Sequence, residues 1–145
     1  MLDVSVQVED GIHVEQDVIA RIVRAVEQAL RAGAAHDAEV SVTLLGDGAI
    51  AALNQRWLGL GTATDVLAFP LFAAGEPAVG DVYIGAEQAV RQAAQHDVTL
   101  VEELVRLAIH GTLHVLGHDH VEGEERVKGT MWQLQERLVA EVMAQ

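Results

Sequence analysis

The stretch His110-Gly111-Thr112-Leu113-His114-Val115-Leu116-Gly117-His118-Asp119-His120 holds four of the chain's seven histidines. His110 and His114 are four apart, so on an α-helix they lie on one face. Two neutral imidazoles placed that way can share one ion, as in helical zinc motifs. Gly117 is expected to stop the helix, because a residue without Cβ most easily takes the conformation that ends one. The turn can then bring His118 or His120 back toward the same point. Three histidines and a place for water make a catalytic zinc layout, since structural sites normally fill all four positions with protein. Two histidines on a core helix is the plainer meaning of an isolated i,i+4 pair. The density of histidine here, with a glycine at the turn, favours metal ligands.

The helix that carries the pair starts at a capping box, Thr99-Leu100-Val101-Glu102. On a helical wheel Leu104, Val105, Ala108, Thr112, Val115 and Leu116 fall on one side. Glu103, Leu107, His110 and His114 fall on the other. A helix apolar almost all round is buried, so its histidine face is expected to line a cleft.

Working outward, residues 3 to 8 and 39 to 45 alternate as half-buried strands. Residues 14 to 32 repeat apolar positions at helical spacing, and Gly33 closes that helix. A short helix covers 49 to 57, with Asp47 as N-cap. Val66 to Phe69 is a short strand ended by Pro70, and 71 to 79, with Gly75 and Pro77, is a loose connection. Residues 81 to 84 form a fourth strand between Gly80 and Gly85, followed by a helix over 86 to 95. Val127, Met131, Leu134, Leu138 and Val142 mark an amphipathic C-terminal helix. The order β-α-β-α-β-β-α-α-α predicts an α+β fold, a four-stranded mixed sheet packed with about five to six helices around a buried metal-ligand helix. No repeat or linker interrupts it, and one domain over residues 1–145 is expected.

Composition narrows the function classes. Half the residues are apolar, no apolar run reaches membrane-spanning length, and Met1-Leu2-Asp3-Val4 does not begin a signal peptide. A soluble cytoplasmic protein with no membrane partner is expected. The chain has no cysteine, which leaves histidine and carboxylate as the strong metal ligands. Nine basic residues against 22 acidic give a net charge of −13, and Lys128 is the single lysine. So acidic a surface is repelled by bare phosphate backbone at long range. A nucleic-acid role must therefore rest on a local basic patch or on a basic partner protein; solubility alone also accounts for the acidity. Arg21, Arg24 and Arg31, interrupted by Glu27, form a stripe that reads as a solvated face, with RNA or partner contact as the minority reading.

A zinc ion on three imidazoles lowers the pKa of its water to about 7, making a nucleophile for a phosphodiester or a peptide carbonyl. Glu103, seven residues before His110, is either a group that orients a ligand ring or a surface charge of the capping box. Asp119 either fixes His120 or caps the following helix. The spacing H-x-x-x-H-x-x-G-x-x-H is that of the metzincin proteases, yet their general-base glutamate position is Gly111 here. That removes the peptidase mechanism and leaves the metal geometry.

Residues 110 to 120 resemble the signature H-G-x-L-H-L-x-G-[YH]-D-H of the YbeY family of bacterial metal-dependent endoribonucleases. Leu53-Asn54 with Thr64-Asp65-Val66-Leu67-Ala68-Phe69-Pro70 is similar to that family's L-N-x(9)-T-[DN]-V-L-S-F-P block. Gly80-Asp81-Val82-Tyr83-Ile84 is similar to its G-D-I-x-I strand, and Glu103-Leu104 also matches. The resemblance implies that His110, His114 and His120 are the zinc ligands, His118 being at a position that varies in the family. It implies a zinc-dependent single-strand endoribonuclease of ribosomal RNA maturation and ribosome quality control, with metal-bound water attacking or activated at the phosphodiester. Partners would be ribosomal RNA, the small ribosomal subunit and a basic ribosomal protein, with no DNA. One zinc per chain is expected, and three imidazoles also accept other divalent transition metals. Two departures stand out: the family serine is Ala68, and the family arginine position is Leu58. Arg56 either takes over phosphate contact or is an exposed charge at a helix end. No protein general base is identified. A metzincin-like metallopeptidase and a non-catalytic ribosome assembly factor with a zinc site are the alternative functions.

Overall fold

Val4, Val6 and Val8 alternate along the first strand because a pleated chain sends every second side chain to the same face. The structure, a computed structural model, describes residues 1–117 and 125–145, with side chains from residue 129 onward in the second segment. Its elements are β1 (Leu2–Val8), α1 (Gln16–Ala32), β2 (Ala38–Leu45), α2 (Asp47–Leu58), β3 (Val66–Pro70), β4 (Ala78–Gly85), α3 (Ala86–Gln95), α4 (Leu100–Val115) and α5 (Glu125–Met143). The order is the one read from the sequence, and the class is α+β with five helices among the described residues.

The sheet runs β1-β2-β4-β3. β1, β2 and β4 are parallel, and β3 returns antiparallel on β4 to form an edge. Val6, Val42 and Val82 share one row across the three parallel strands, and Val8, Leu44 and Ile84 the next but one. β4 begins three residues earlier than expected, because it pairs with β2 from Ala38↔Ala78 onward. Pro70 is the last residue of β3, opposite Gly80, a place an edge strand tolerates despite the missing N–H.

α4 is the hub. Leu104, Leu107, Ala108 and Val115 face the sheet beside Val82 and Ile84. Val105, Ile109 and Leu113 face the other way, against Met131, Leu138 and Val142 of α5 and Ala25 and Ala29 of α1. Two glycines bring helix and sheet together. A Cβ on Gly111 would stand 2.5 Å from Val82 Cγ1, and one on Gly80 would stand 2.5 Å from Val115 Cγ1. Neither approach leaves room for a side chain.

Two local expectations need correction. Asp47 is not the N-cap of α2; Gly46 is, without a side-chain cap of its own. Glu9 accepts from Gly46 N at 2.8 Å and Glu87 from Asp47 N at 2.8 Å, so distant carboxylates satisfy that helix end. Asp47 is instead clasped by Arg91, at 2.8 and 3.0 Å. Gly33 closes α1 as its C-cap, as expected, and Ala34 after it takes the left-handed backbone, at φ 59°. The arginine stripe is not uniformly solvated. Arg21 and Arg24 are half-buried, and Arg21 donates to the backbone oxygens of Met143, the last residue of α5, and of Gln145 beyond it. Lone carbonyls at a helix C-terminus favour such a cation.

Candidate metal centre

Thr99 opens α4 as expected, its hydroxyl oxygen accepting from Glu102 N at 3.1 Å. Leu116 is the C-cap, and Gly117 follows at φ 88° with its N–H bonded to His114 O at 2.9 Å. The glycine at the turn is there for its left-handed backbone.

On the last two turns before that cap, His110 and His114 bring their Nε2 atoms to 2.9 Å, with ring centroids 4.4 Å apart and planes 59° apart. Both rings are half-buried. They form one wall of a cleft of about 230 Å³ whose other walls are β3, from Val66 to Pro70, and Leu58 at the end of α2. His118, Asp119 and His120 lie outside the described residues. Among the described residues no three His, Asp or Glu side chains converge.

Whether the pair suits a metal can be tested on its geometry. Two nitrogens on one tetrahedral zinc at about 2.0–2.1 Å stand about 3.3 Å apart. The observed 2.9 Å is within a few tenths of that. Imidazole nitrogens are borderline donors suited to zinc and its neighbours. The two residues therefore fit a divalent transition metal.

His110 is tied from behind. Its Nδ1 lies 2.7 Å from Gln135 Oε1 on α5. The sequence reading missed Gln135, which sits 25 residues away on a helix scanned only for its apolar positions. No local signal pairs the two; only the packing of α4 on α5 does. Glu103 is neither a surface charge nor a partner of a histidine ring. It is 2% exposed and accepts from Gln92 Nε2 at 2.8 Å and Arg106 Nη1 at 3.1 Å. Arg106 also clasps Glu136 through Nε and Nη2, both at 2.9 Å, and reaches Glu102 at 3.0 Å. These bonds raise the Arg106 pKa above its ordinary value. They hold the Glu136 carboxyl below its own, chiefly through the Arg106 hydrogen bonds.

The remaining motif residues hold the elements around the cleft in place. Asn54 donates to Thr62 O at 3.0 Å, closing the loop that leads into β3. Asp65 accepts from Val66 N at 2.8 Å, and its carbonyl accepts from Gly85 N at 2.8 Å. Asp81 accepts from Ser41 Oγ at 3.0 Å across the sheet, and burial first, Asp81 second, pushes the Tyr83 phenol up. Arg56 is exposed, with its guanidinium 5.4 Å from the Trp57 ring centroid. It is Leu58 that meets the cleft.

Known proteins resemble this chain. The profile of the family described as endoribonuclease YbeY matches residues 4–143. A Micrococcus luteus protein named endoribonuclease YbeY is 38% identical over 144 residues, covering 93% of this chain and 88% of its own length. One of that name from Thermus thermophilus is 39% identical over 127 residues, covering 85% of this chain and 90% of its own. A Thermotoga maritima protein solved in solution superposes with a TM-score of 0.69 at 28% identity, over 99% of this chain and 90% of that one. With the fold, the paired histidines and a match running almost end to end, the chain belongs to the YbeY endoribonuclease family.

Proposed function

We propose that this protein is a metal-dependent endoribonuclease that cuts single-stranded ribosomal RNA during maturation and ribosome quality control in the cytoplasm. One domain of residues 1–145 would carry the activity. The observation that carries the reading is the convergence of His110 and His114 Nε2, 2.9 Å apart, at the wall of a cleft. In this reading His110, His114 and His120 hold one zinc or a related divalent ion. When bound, the ion supplies Lewis-acid polarisation of the phosphodiester and activation of water.

The chain's own residues do the rest. Val66, Leu67, Phe69 and Leu58 give the cleft apolar walls, which strengthen electrostatic effects beside them. None of the described residues lining the cleft is acidic. In a chain of net charge −13, phosphate therefore meets no carboxylate on the described walls of the cleft. Among the described residues no lining carboxylate offers a peptidase its base. Gly111, where metzincins carry that base, has no space for any side chain. The overall acidity favours delivery of the enzyme to RNA by a basic ribosomal protein on the small subunit.

The test is cleavage of single-stranded ribosomal RNA by wild type, His114→Ala and Arg56→Ala, with chelation and metal add-back. Loss of cleavage in His114→Ala and on chelation, with recovery on add-back, is expected. Arg56→Ala should retain most activity, because Arg56 does not line the cleft. Unchanged cleavage in His114→Ala would assign the activity to a contaminant. Metal binding and association with pre-ribosomal particles without any cleavage would make the protein an assembly factor.

A further inference from the structure

Gln135 is 6% exposed and stands between two groups that together decide its orientation. Its Nε2 donates to Glu136 Oε2 at 3.1 Å, and its Oε1 faces His110 Nδ1 at 2.7 Å. A carboxylate accepts and cannot donate. The amide nitrogen must therefore be the end that meets Glu136, because the reverse orientation would set two acceptor oxygens against each other. Glu136 is in turn held ionised by Arg106, whose Nε and Nη2 grip both its oxygens at 2.9 Å. With the amide fixed, its oxygen faces His110, and an amide oxygen also only accepts. The His110 proton then belongs on Nδ1, and Nε2 keeps a lone pair on the side where His114 Nε2 stands 2.9 Å away.

We infer that Gln135 is a positioning residue for His110: it holds that ring in the Nδ1–H tautomer with Nε2 free to ligate. The Arg106–Glu136 pair sets the amide that does so. The inference rests on His110 being a metal ligand, as proposed above, and extends the site from α4 into α5. It also gives the half-buried Arg106–Glu136 pair a function beyond joining two helices. Arg106 carries the orientation from Glu136 through Gln135 to the ring, a chain of contacts each between 2.7 and 3.1 Å. Groups that orient a ligating histidine through its second nitrogen typically change metal affinity by about 10–100-fold when removed.

The experiment uses the full chain, stripped of metal, with Zn2+ titrated against a chromophoric chelator. Wild type, Gln135→Leu and Glu136→Gln are compared, and 15N chemical shifts of the His110 imidazole are read before zinc is added. Leucine keeps the volume and removes the acceptor; Glu136→Gln leaves Gln135 in place but offers its amide either a donor or an acceptor, so the orientation is no longer forced. Zinc affinity about 10–100-fold weaker in Gln135→Leu is expected, with a loss of the Nδ1–H shift pattern. Glu136→Gln should move both readouts the same way by less. Melting of the metal-free proteins shows whether each variant is folded; should Gln135→Leu fail to fold, Glu136→Gln and the wild-type shifts still decide. Wild-type affinity in Gln135→Leu, or a wild-type His110 protonated on Nε2, overturns the inference while leaving the metal centre intact. A wild type that binds no zinc would remove the metal reading itself, and the inference with it.

Discussion

Replacing Gly111 with alanine adds one methyl group where α4 comes closest to the sheet. Its Cβ would stand 2.5 Å from Val82 Cγ1, 3.3 Å from Val82 Cγ2 and 3.2 Å from Val66 Cγ2. Val82 is fully buried in the central strand β4 and cannot swing away, so helix and sheet must separate by a few tenths of an ångström. Overpacking of this kind costs about 1–3 kcal/mol. Against it, Gly→Ala in a helix interior gains about 1 kcal/mol. The expected balance is a loss of roughly 1 kcal/mol, or about 2–4 °C in Tm for a chain of this size. The double mutant isolates the cause. Val82→Ala alone should cost roughly 2 kcal/mol, for two methyl groups and the space they leave. Gly111→Ala added to Val82→Ala should then be stabilising, since the new methyl enters the vacated volume. The coupling energy should be about 1–3 kcal/mol. Urea unfolding of metal-free protein supplies the numbers, chelator being present so that bound metal does not shift stability by mass action. If Gly111→Ala stabilised the protein by about 1 kcal/mol in both backgrounds, close packing would not be the reason for glycine there.

Other expectations concern charge. Arg106 holds the Glu136 carboxyl below its ordinary value of 4.5. As pH falls, the unfolded state takes up that proton first, so the Glu136 contribution to stability is full above about pH 4.5 and is lost below it. Glu136→Gln should therefore lower stability at pH 7 and flatten its pH dependence in that acid range; an unchanged slope would remove Glu136 as the cause. Leu58 meets the cleft and is 56% exposed. Leu58→Arg should tighten binding of single-stranded RNA and steepen its log–log salt dependence by about 0.7, one phosphate's worth. A slope equal to wild type would mean that a side chain at 58 does not reach the backbone. Thr99→Ala, which removes the cap of α4, should cost about 0.5–2 kcal/mol in the same urea experiment.

The sequence by itself determined the order of the nine elements among the described residues. Period-two and period-3.6 apolar patterns depend only on which face of each element is buried, and they are strong in this chain. It also placed Thr99 and Gly117 at the two ends of α4, since a hydroxyl cap and a left-handed C-terminal glycine are local chemistry. Two histidines on one helical face followed from spacing alone. Tertiary structure decided what lies behind and around them. Gln135 reaches His110 only because α5 packs on α4, and nothing within a few residues of either records that contact. Glu103 is buried because Gln92 and Arg106 supply donors from a neighbouring helix and the next turn. Asp47 gave up its capping role because Glu9 and Glu87 arrive from other elements and Arg91 claims its carboxylate. Periodicity reports which residues are covered; it carries no record of which partners do the covering, and those partners set the chemistry of the site.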